Sequence, residues 1–320
     1  MDTSSRILVT GATGQIGSEL IMALRQRHGG ERVVAAVHNR PASEQVQRTG
    51  PVVKADLSSE RALIEVLKEH EVAQIYHLAA VLSVTGEKEP QIAWRTNMES
   101  LLNVLEAGRK LHLEKVFWPG SIAVFGPTSP RENTPQDTIM LPISMYGVSK
   151  LAGELLCNYY YTKYGLDVRS VRYPGIISSE TLPGGGTTDY AVEIFYEALT
   201  KGRYTCFLSE DTRLPMMYMP DCLSCAMDLM DAPAIKVKRR DAYNVTAMSF
   251  TPAELVRELR HHVSKLEVEY APDHRQNIAD SWPMSLDDSE ARKDWGWSPR
   301  FDLPMMVKDM VDNLRPRLRK

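Results

Sequence analysis

Short apolar runs alternate with stretches of helical periodicity along the first half of the chain. Residues 6–10 (RILVT) form an apolar run that ends at glycine, and residues 15–27 then set Ile16, Leu20, Ala23 and Leu24 on one helical face. Residues 33–37 (VVAAV) and 52–54 read as further strands, residues 59–70 as a helix with Ala62, Leu63, Val66 and Leu67 inward, and residues 74–80 (QIYHLAA) as a buried strand. The rhythm continues with a long helix over 91–111, a strand over 115–118, a second long helix over 146–164 and a sixth strand over 167–173. Continuous apolar strands need cover on both faces, and each parallel crossover needs a helix, so the pattern predicts an α/β fold built on a doubly wound parallel sheet. The alternation breaks at Pro174-Gly175 and again at residues 183–186 (PGGG). Residues 1–173 are therefore expected to form the main domain, and 174–320 a smaller lobe with some segments returning to the sheet. Thr251-Pro252-Ala253-Glu254 is a capping box with proline at the first helical position, marking a helix start in that lobe.

Composition narrows the class. The chain has 320 residues, 43% hydrophobic and 25% charged, with 38 basic against 41 acidic side chains. A net charge of -3 announces no nucleic-acid partner. The densest basic cluster, Lys236, Lys238, Arg239 and Arg240, reads as a solvated loop, and residues 315–320 as a frayed end. No window approaches the roughly 20 apolar residues of a membrane span, and residues 1–5 lead directly into the first strand, so a cytoplasmic protein without membrane contact is expected. Cys157, Cys206, Cys222 and Cys225 are too sparse for a disulfide framework and suit a reducing compartment. The Cys222/Cys225 pair has no second pair to complete a zinc set, and His77, His261 and His262 have no carboxylate at ligand spacing, so no metal is expected. Met216, Met217 and Met219 read as strand packing near the cleft, with Tyr218 offering a polar tip there.

Gly11, Gly14 and Gly17 form a GxxGxxG between the first strand and the first helix, where N–H groups at a helix start can approach a pyrophosphate closely. About 20 residues on, at the end of the second strand, a carboxylate commonly takes the adenosine ribose; here the residue is Val37, followed by His38, Asn39 and Arg40. Two readings stand: these residues receive a 2′-phosphate, or they are a solvated loop with the ribose held by backbone and Asn39. Asp56, after the third strand, either meets the adenine edge or caps the following helix. Tyr146 and Lys150 lie at i and i+4 on the second long helix and so share a face. A phenolate base working near neutral pH needs its pKa lowered by about two units, roughly 3 kcal/mol, which a neighbouring ammonium can supply. Ser121 follows the fifth strand at the carboxyl end of the sheet, where open α/β sheets bind ligands.

Taken together, GxxGxxG, Ser121, YxxxK and the Tyr173-Pro174-Gly175 turn resemble the extended short-chain dehydrogenase/reductase superfamily, whose fold is a Rossmann domain with a smaller C-terminal substrate-binding lobe. More narrowly, residues 121–127 (SIAVFGP), 173–178 (YPGIIS), 184–190 (GGGTTDY) and 216–221 (MMYMPD) are similar to the short-chain type of L-threonine 3-dehydrogenase. The resemblance implies NAD-dependent oxidation of L-threonine at C3 to 2-amino-3-oxobutyrate without a metal, catalysed by Ser121, Tyr146 and Lys150. It implies substrate contacts at Ser83, Thr187, Thr188 and Asp189. Cofactor contacts are implied at Gly11, Gly14, Gln15, Ile16, Gly17, His38, Asn39, Arg40, Asp56, Leu57, Leu78, Ala79, Ala80, Asn97, Tyr146, Lys150, Tyr173 and Pro174. Two departures stand out: Val37 replaces the usual aspartate, which makes NADP the runner-up cofactor, and Gly120 stands where serine is common. The glycines of 183–186 suit a hinge closing over a small ligand. A homodimer through the two long helices is the implied assembly. The competing readings are a nucleotide-sugar epimerase or dehydratase of the same superfamily, and a non-catalytic nucleotide-binding sensor.

Overall fold

A computed structural model of the chain describes residues 6–182, 184 and 186–318. Residues 1–5, Pro183 and Gly185 of the expected hinge, and residues 319–320 lie outside the described residues. The elements run β1 (Arg6–Thr10), α1 (Gln15–His28), β2 (Val33–Val37), α2 (Glu44–Thr49), β3 (Val52–Lys54), α3 (Glu60–Glu69), β4 (Val72–His77), α4 (Ser83–Lys88), α5 (Pro90–Leu111), β5 (Lys115–Phe117), β6 (Gly120–Ser121), α6 (Met145–Tyr164), β7 (Val168–Arg169), β8 (Val171–Tyr173) and β9 (Gly175–Ile177). They continue with α7 (Tyr190–Lys201), β10 (Arg203–Cys206), β11 (Leu214–Tyr218), α8 (Met219–Asp231), β12 (Tyr243–Asn244), β13 (Met248–Phe250), α9 (Pro252–Leu259), β14 (Glu267–Tyr270), α10 (Arg275–Asp280), α11 (Ser289–Trp295) and α12 (Leu303–Leu318).

The central sheet is parallel throughout, in the order β3-β2-β1-β4-β5-β7. Strand order reverses between β1 and β4, and the crevice beyond their carboxyl ends is where such sheets take ligands. The period of two along a strand explains both covers. Ile7 and Val9 face α1 and α8 through Leu20, Ile21, Leu24, Cys222 and Cys225, while Leu8 faces the opposite layer of Leu63, Leu101, Leu105 and Cys157. A third cluster, around Tyr190, Phe195, Phe250, Leu255 and Met310, joins α7, β13, α9 and α12 and takes in residues 122–125 as well. The capping box at Thr251 and Glu254 starts α9 as the sequence requires.

Several expectations are corrected. The fourth strand ends at His77, and residues 78–80 leave the sheet to pass over the glycine turn. The expected sixth strand is two: β7 pairs with β5, whereas β8 pairs with β6 and β12 in a separate small sheet. The basic cluster is a solvated loop at Lys236 and Lys238 only: Arg240 is buried, bonded to Asp167 at 2.9 Å and stacked on Tyr161, and Arg239 is held by Asp137, Asp241 and Glu290. Residues 315–318 are not frayed either, because α12 runs to Leu318 with Arg315 and Arg317 bonded to His262, Ser179 and Glu180. The Tyr218 hydroxyl donates to Asp309 at 2.6 Å and lies 3.2 Å from the Ser179 hydroxyl, so its polar tip serves α12 and not the cleft.

Candidate active site

The glycine turn is shaped by contacts that admit no side chain. Gly11 has φ +68 and passes so close to the backbone of Leu78 and Ala79 that a Cβ would stand 2.7 Å from it. A Cβ on Gly17 would stand 2.2 Å from the Gly11 carbonyl oxygen. Gly14 opens α1 with no side-chain cap, leaving N–H groups of the first turn directed outward. The cradle fits the phosphates of a dinucleotide, with bare backbone and a helix start as its donors. Beneath it, the Thr10 hydroxyl and His77 Nδ1 are 2.8 Å apart, and Ser100 Oγ lies 3.4 Å from Nε2. Burial pushes the His77 imidazole down to about 3, helped by the Lys150 charge, so the ring is neutral and stitches the central strands β1 and β4 together at their carboxyl ends.

Tyr146 and Lys150 lie on one face of α6, whose start is fixed by Ser144 accepting from the Gly147 N–H at 3.1 Å. Ser121, at the end of β6, accepts the Ala123 N–H at 3.2 Å and hydrogen-bonds the Tyr146 phenol. Lys150 donates to the Pro119 carbonyl at 2.6 Å and rests 4.4 Å from the Trp118 ring and 5.5 Å from the Tyr146 ring. The expected depression of the phenol is not present here. Burial raises Tyr146 to about 12, with the Ser121 hydrogen bond pulling the other way, and the same burial lowers Lys150 to about 8, opposed by Cys157 and Glu154. Glu154 is one further turn along α6, buried, and bound by Arg172 through bonds of 2.9 to 3.2 Å. Its Oε1 and the Val171 carbonyl would each lie 3.0 Å from a Cβ on Gly120, which is why the serine common at that position finds little room.

The expected substrate residues converge on one cavity of about 160 Å³, lined by Gln15, Ser83, Ser121, Tyr146, Lys150, Tyr173, Pro174, Thr187, Thr188 and Asp189 among others. Ile16, Leu78 and Ala80 lie on its wall as well. Thr187 Oγ1 and Gln15 Nε2 are buried with no hydrogen-bond partner among the described residues, an arrangement that costs free energy unless a ligand supplies the partner. Asp189 is committed to the turn, accepting the Gly186 N–H at 2.6 Å. Tyr173 faces the cavity with its ring while its hydroxyl donates to the Cys222 carbonyl at 2.8 Å. Asn97 is not in the wall; its amide accepts the Val81 N–H at 2.7 Å and donates back to Val81 O, holding the segment before Ser83. Sequence reasoning missed Trp282, which reaches the cavity from an irregular stretch that carries no periodic signal. It also missed Glu154, although the i+4 series from Tyr146 through Lys150 points to it.

The residues expected at the adenosine end lie outside this cavity. Val37 ends β2 half-buried, His38, Asn39 and Arg40 are exposed, and His38 Nε2 is 4.0 Å from Asp56. Asp56 does not cap α3; Ser59 does, while Asp56 accepts the Ser58 N–H and hydroxyl at 3.0 and 2.7 Å. Leu57 packs beneath, its carbonyl accepting from Asn103 at 2.8 Å.

A parallel sheet with a glycine cradle at its switch point, and a Ser, Tyr and Lys set one unit away, defines a nucleotide-dependent enzyme of the epimerase and dehydratase type. The chain belongs to the NAD dependent epimerase/dehydratase family, whose pattern it matches over residues 7–246. It is 47% identical over 308 residues to the mitochondrial L-threonine 3-dehydrogenase of Bos taurus, covering 96% of this chain and 82% of that one. Among solved structures, a partial consensus L-threonine 3-dehydrogenase superposes with a TM-score of 0.95 at 52% identity, covering 97% of this chain and 99% of that one. The holo form of the GalE-like L-threonine dehydrogenase from Cupriavidus necator gives a TM-score of 0.94 at 52% identity, with the same coverage.

Proposed function

We propose that the protein is an L-threonine 3-dehydrogenase that oxidises the substrate at C3 to 2-amino-3-oxobutyrate, with NAD as hydride acceptor. The observation that carries the reading is the cavity that joins Ser121, Tyr146 and Lys150 to the buried, unpartnered Thr187 hydroxyl. The same cavity also carries Gln15, Ile16, Leu78, Ala80, Tyr173 and Pro174, residues expected at the cofactor, so the reacting ring and the substrate would meet there. The matches to threonine dehydrogenases over nearly the whole chain support the same substrate.

In this reading Ser121 orients the threonine hydroxyl and Tyr146 takes its proton. Burial alone holds the phenol near 12, so the base depends on cations brought within reach. Lys150, four residues on and already beside the ring, is the protein's own contribution. A bound oxidised nicotinamide would supply the hydride acceptor for C3 and a positive charge near the phenol. Ser83 and Thr187 hydroxyls meet the carboxylate and ammonium, since each polar group of so small a ligand needs a partner once water leaves. Glu154, tied to Arg172, anchors the middle of α6 one turn past Lys150.

Among the described residues no group of His, Cys, Asp and Glu stands close enough to hold a metal ion. Activity is accordingly expected to survive prolonged treatment with a chelator, and its loss, restored by added metal, would contradict the mechanism. No helix of the described residues is long and apolar enough to cross a membrane. The four cysteines are free and buried, which suits the reducing compartment we favour for this protein. The assembly we favour is a homodimer through α5 and α6, which expose Ile92, Trp94, Val148, Leu155 and Tyr159. Incubating purified protein with L-threonine and NAD, and following reduced cofactor by absorbance, tests the activity itself.

A further inference from the structure

We propose that the adenosine end of this site accepts a 2′-phosphate, so that NADP is a working cofactor of this chain alongside NAD. The inference rests on the reading that the glycine turn holds a nicotinamide dinucleotide, and it concerns the opposite end of that molecule from the reacting ring.

The register places the critical position. Val9 pairs with Ala35, so the parallel ladder, continued by two residues, brings Val37 level with Gly11 at the start of the turn. A carboxylate there accepts hydrogen bonds from the ribose hydroxyls and repels a phosphate on the 2′ oxygen. An isopropyl group does neither. Val37 is instead packed against the core of its layer, with no polar atom to offer. Its successors His38, Asn39 and Arg40 all stand exposed at the same strand end, and two of the three can carry positive charge.

Arg40 has a specific place. With Ala12 and Thr13 of the turn, and with Pro41 and Ser43, it lines a groove of about 1020 Å³ that opens beside the adenosine end. The other charged side chains of that groove are all engaged. Arg25 donates to the carbonyls of Val33, Val46 and Pro51; Glu19 accepts from Ser178 and Thr181; Glu180 is paired with Arg317. Arg40 alone among them has no ion pair or hydrogen bond within the described residues, so its planar fork of donors is available for a phosphate, the anion whose geometry it matches. The nearest acids do not cancel it. Glu44 is bonded to Arg48, and Asp56 is turned to Ser58 and His38.

A 2′-phosphate carries between about 1.5 and 2 negative charges at neutral pH. The side chains that would meet it are thus the guanidinium of Arg40, the imidazole of His38 and the Thr13 hydroxyl, with no carboxylate at position 37.

Two fragments that differ only by the 2′-phosphate, adenosine 2′,5′-bisphosphate and AMP, isolate this contribution without turnover. Calorimetric titration of the full-length protein at fixed ionic strength is expected to show the bisphosphate binding at least as tightly as AMP. Arg40→Ala is expected to shift the ratio of the two affinities by about tenfold toward AMP, with Arg40→Lys recovering part of it, as the loss of one charge-assisted contact implies. Val37→Asp is expected to move the ratio in the same direction by installing a like charge. Bisphosphate binding weaker than AMP in the wild-type protein overturns the proposal, as does an unchanged ratio in Arg40→Ala. Failure of both fragments to bind would remove the dinucleotide reading of the turn and this proposal with it. Threonine-independent behaviour with intact fragment binding would strike only the substrate reading.

Discussion

At the scale of single residues, the argument turns on two hydroxyl groups. Removing the Tyr146 hydroxyl takes away the proton acceptor and leaves the glycine cradle intact, so Tyr146→Phe is expected to lower kcat by at least about a thousandfold while cofactor affinity changes little. Steady-state kinetics with a parallel cofactor titration separate the two effects, and near-native turnover would show that another group is the base. Because the phenol is protonated until nearby cations pull it down from about 12, kcat/KM for the wild type is expected to rise from pH 6 toward alkaline values. Lys150→Met should displace that rise to higher pH. Thr187 gives a sharper separation of function from stability. Its hydroxyl is buried without a partner in the described structure, an arrangement that costs about 1–3 kcal/mol, so Thr187→Ala should leave Tm unchanged or raise it while strongly damaging threonine oxidation. A fall in Tm with unchanged kinetics would mean that the hydroxyl serves the fold alone.

At the scale of elements, the first half of the chain was largely legible and the second was not, for a physical reason. The apolar run 33–37 coincides with β2, because a strand covered on both faces must be continuously apolar, while β3 at the sheet's end is only half-buried and closes on the exposed Lys54. The fourth and sixth strands extend less far than their apolar pattern suggests, because the segments that leave the sheet, half-buried residues 78–80 and buried Ser170, remain apolar or small after the pairing ends. β8, β9 and β12 are two or three residues each and pair across long separations, which no local periodicity records. The Thr10–His77 bond that joins β1 to β4 makes a prediction at this level. Burial lowers the folded-state pKa of His77 from about 6.5 to about 3, so between these values the unfolded chain binds a proton that the folded chain does not. The stability associated with this group is therefore complete above pH 6.5 and lost as pH falls toward 3. Denaturant titrations across that window should show a shallower loss for His77→Gln than for the wild type, and identical slopes would remove His77 from the acid response.

At the scale of the molecule, the fold around the parallel sheet brings together residues that the sequence keeps far apart. Ser83, Ser121, Tyr146 and Thr187 were each readable by resemblance, yet only the fold collects them in one cavity, and it adds Trp282 from a region without periodicity. The adenosine end was legible as a departure, Val37, whose consequence depends on the partners of Arg40 and so on tertiary structure. The exposed side chains of α5 and α6 bear on assembly. If they meet a second copy, Leu155→Glu should convert a dimer to a monomer in light scattering, because it places a charge in an apolar contact. A wild-type monomer would show that this face is solvated in this protein. The central claim concerns the substrate, and one measurement addresses it directly. Purified protein is mixed with NAD and either L-threonine, other hydroxy amino acids or nucleotide sugars, while reduced cofactor is followed by absorbance and nucleotide-sugar binding by calorimetry. The account predicts cofactor reduction that depends on L-threonine and disappears in Tyr146→Phe; reduction indifferent to threonine, or a nucleotide sugar binding far more tightly than threonine, would contradict it.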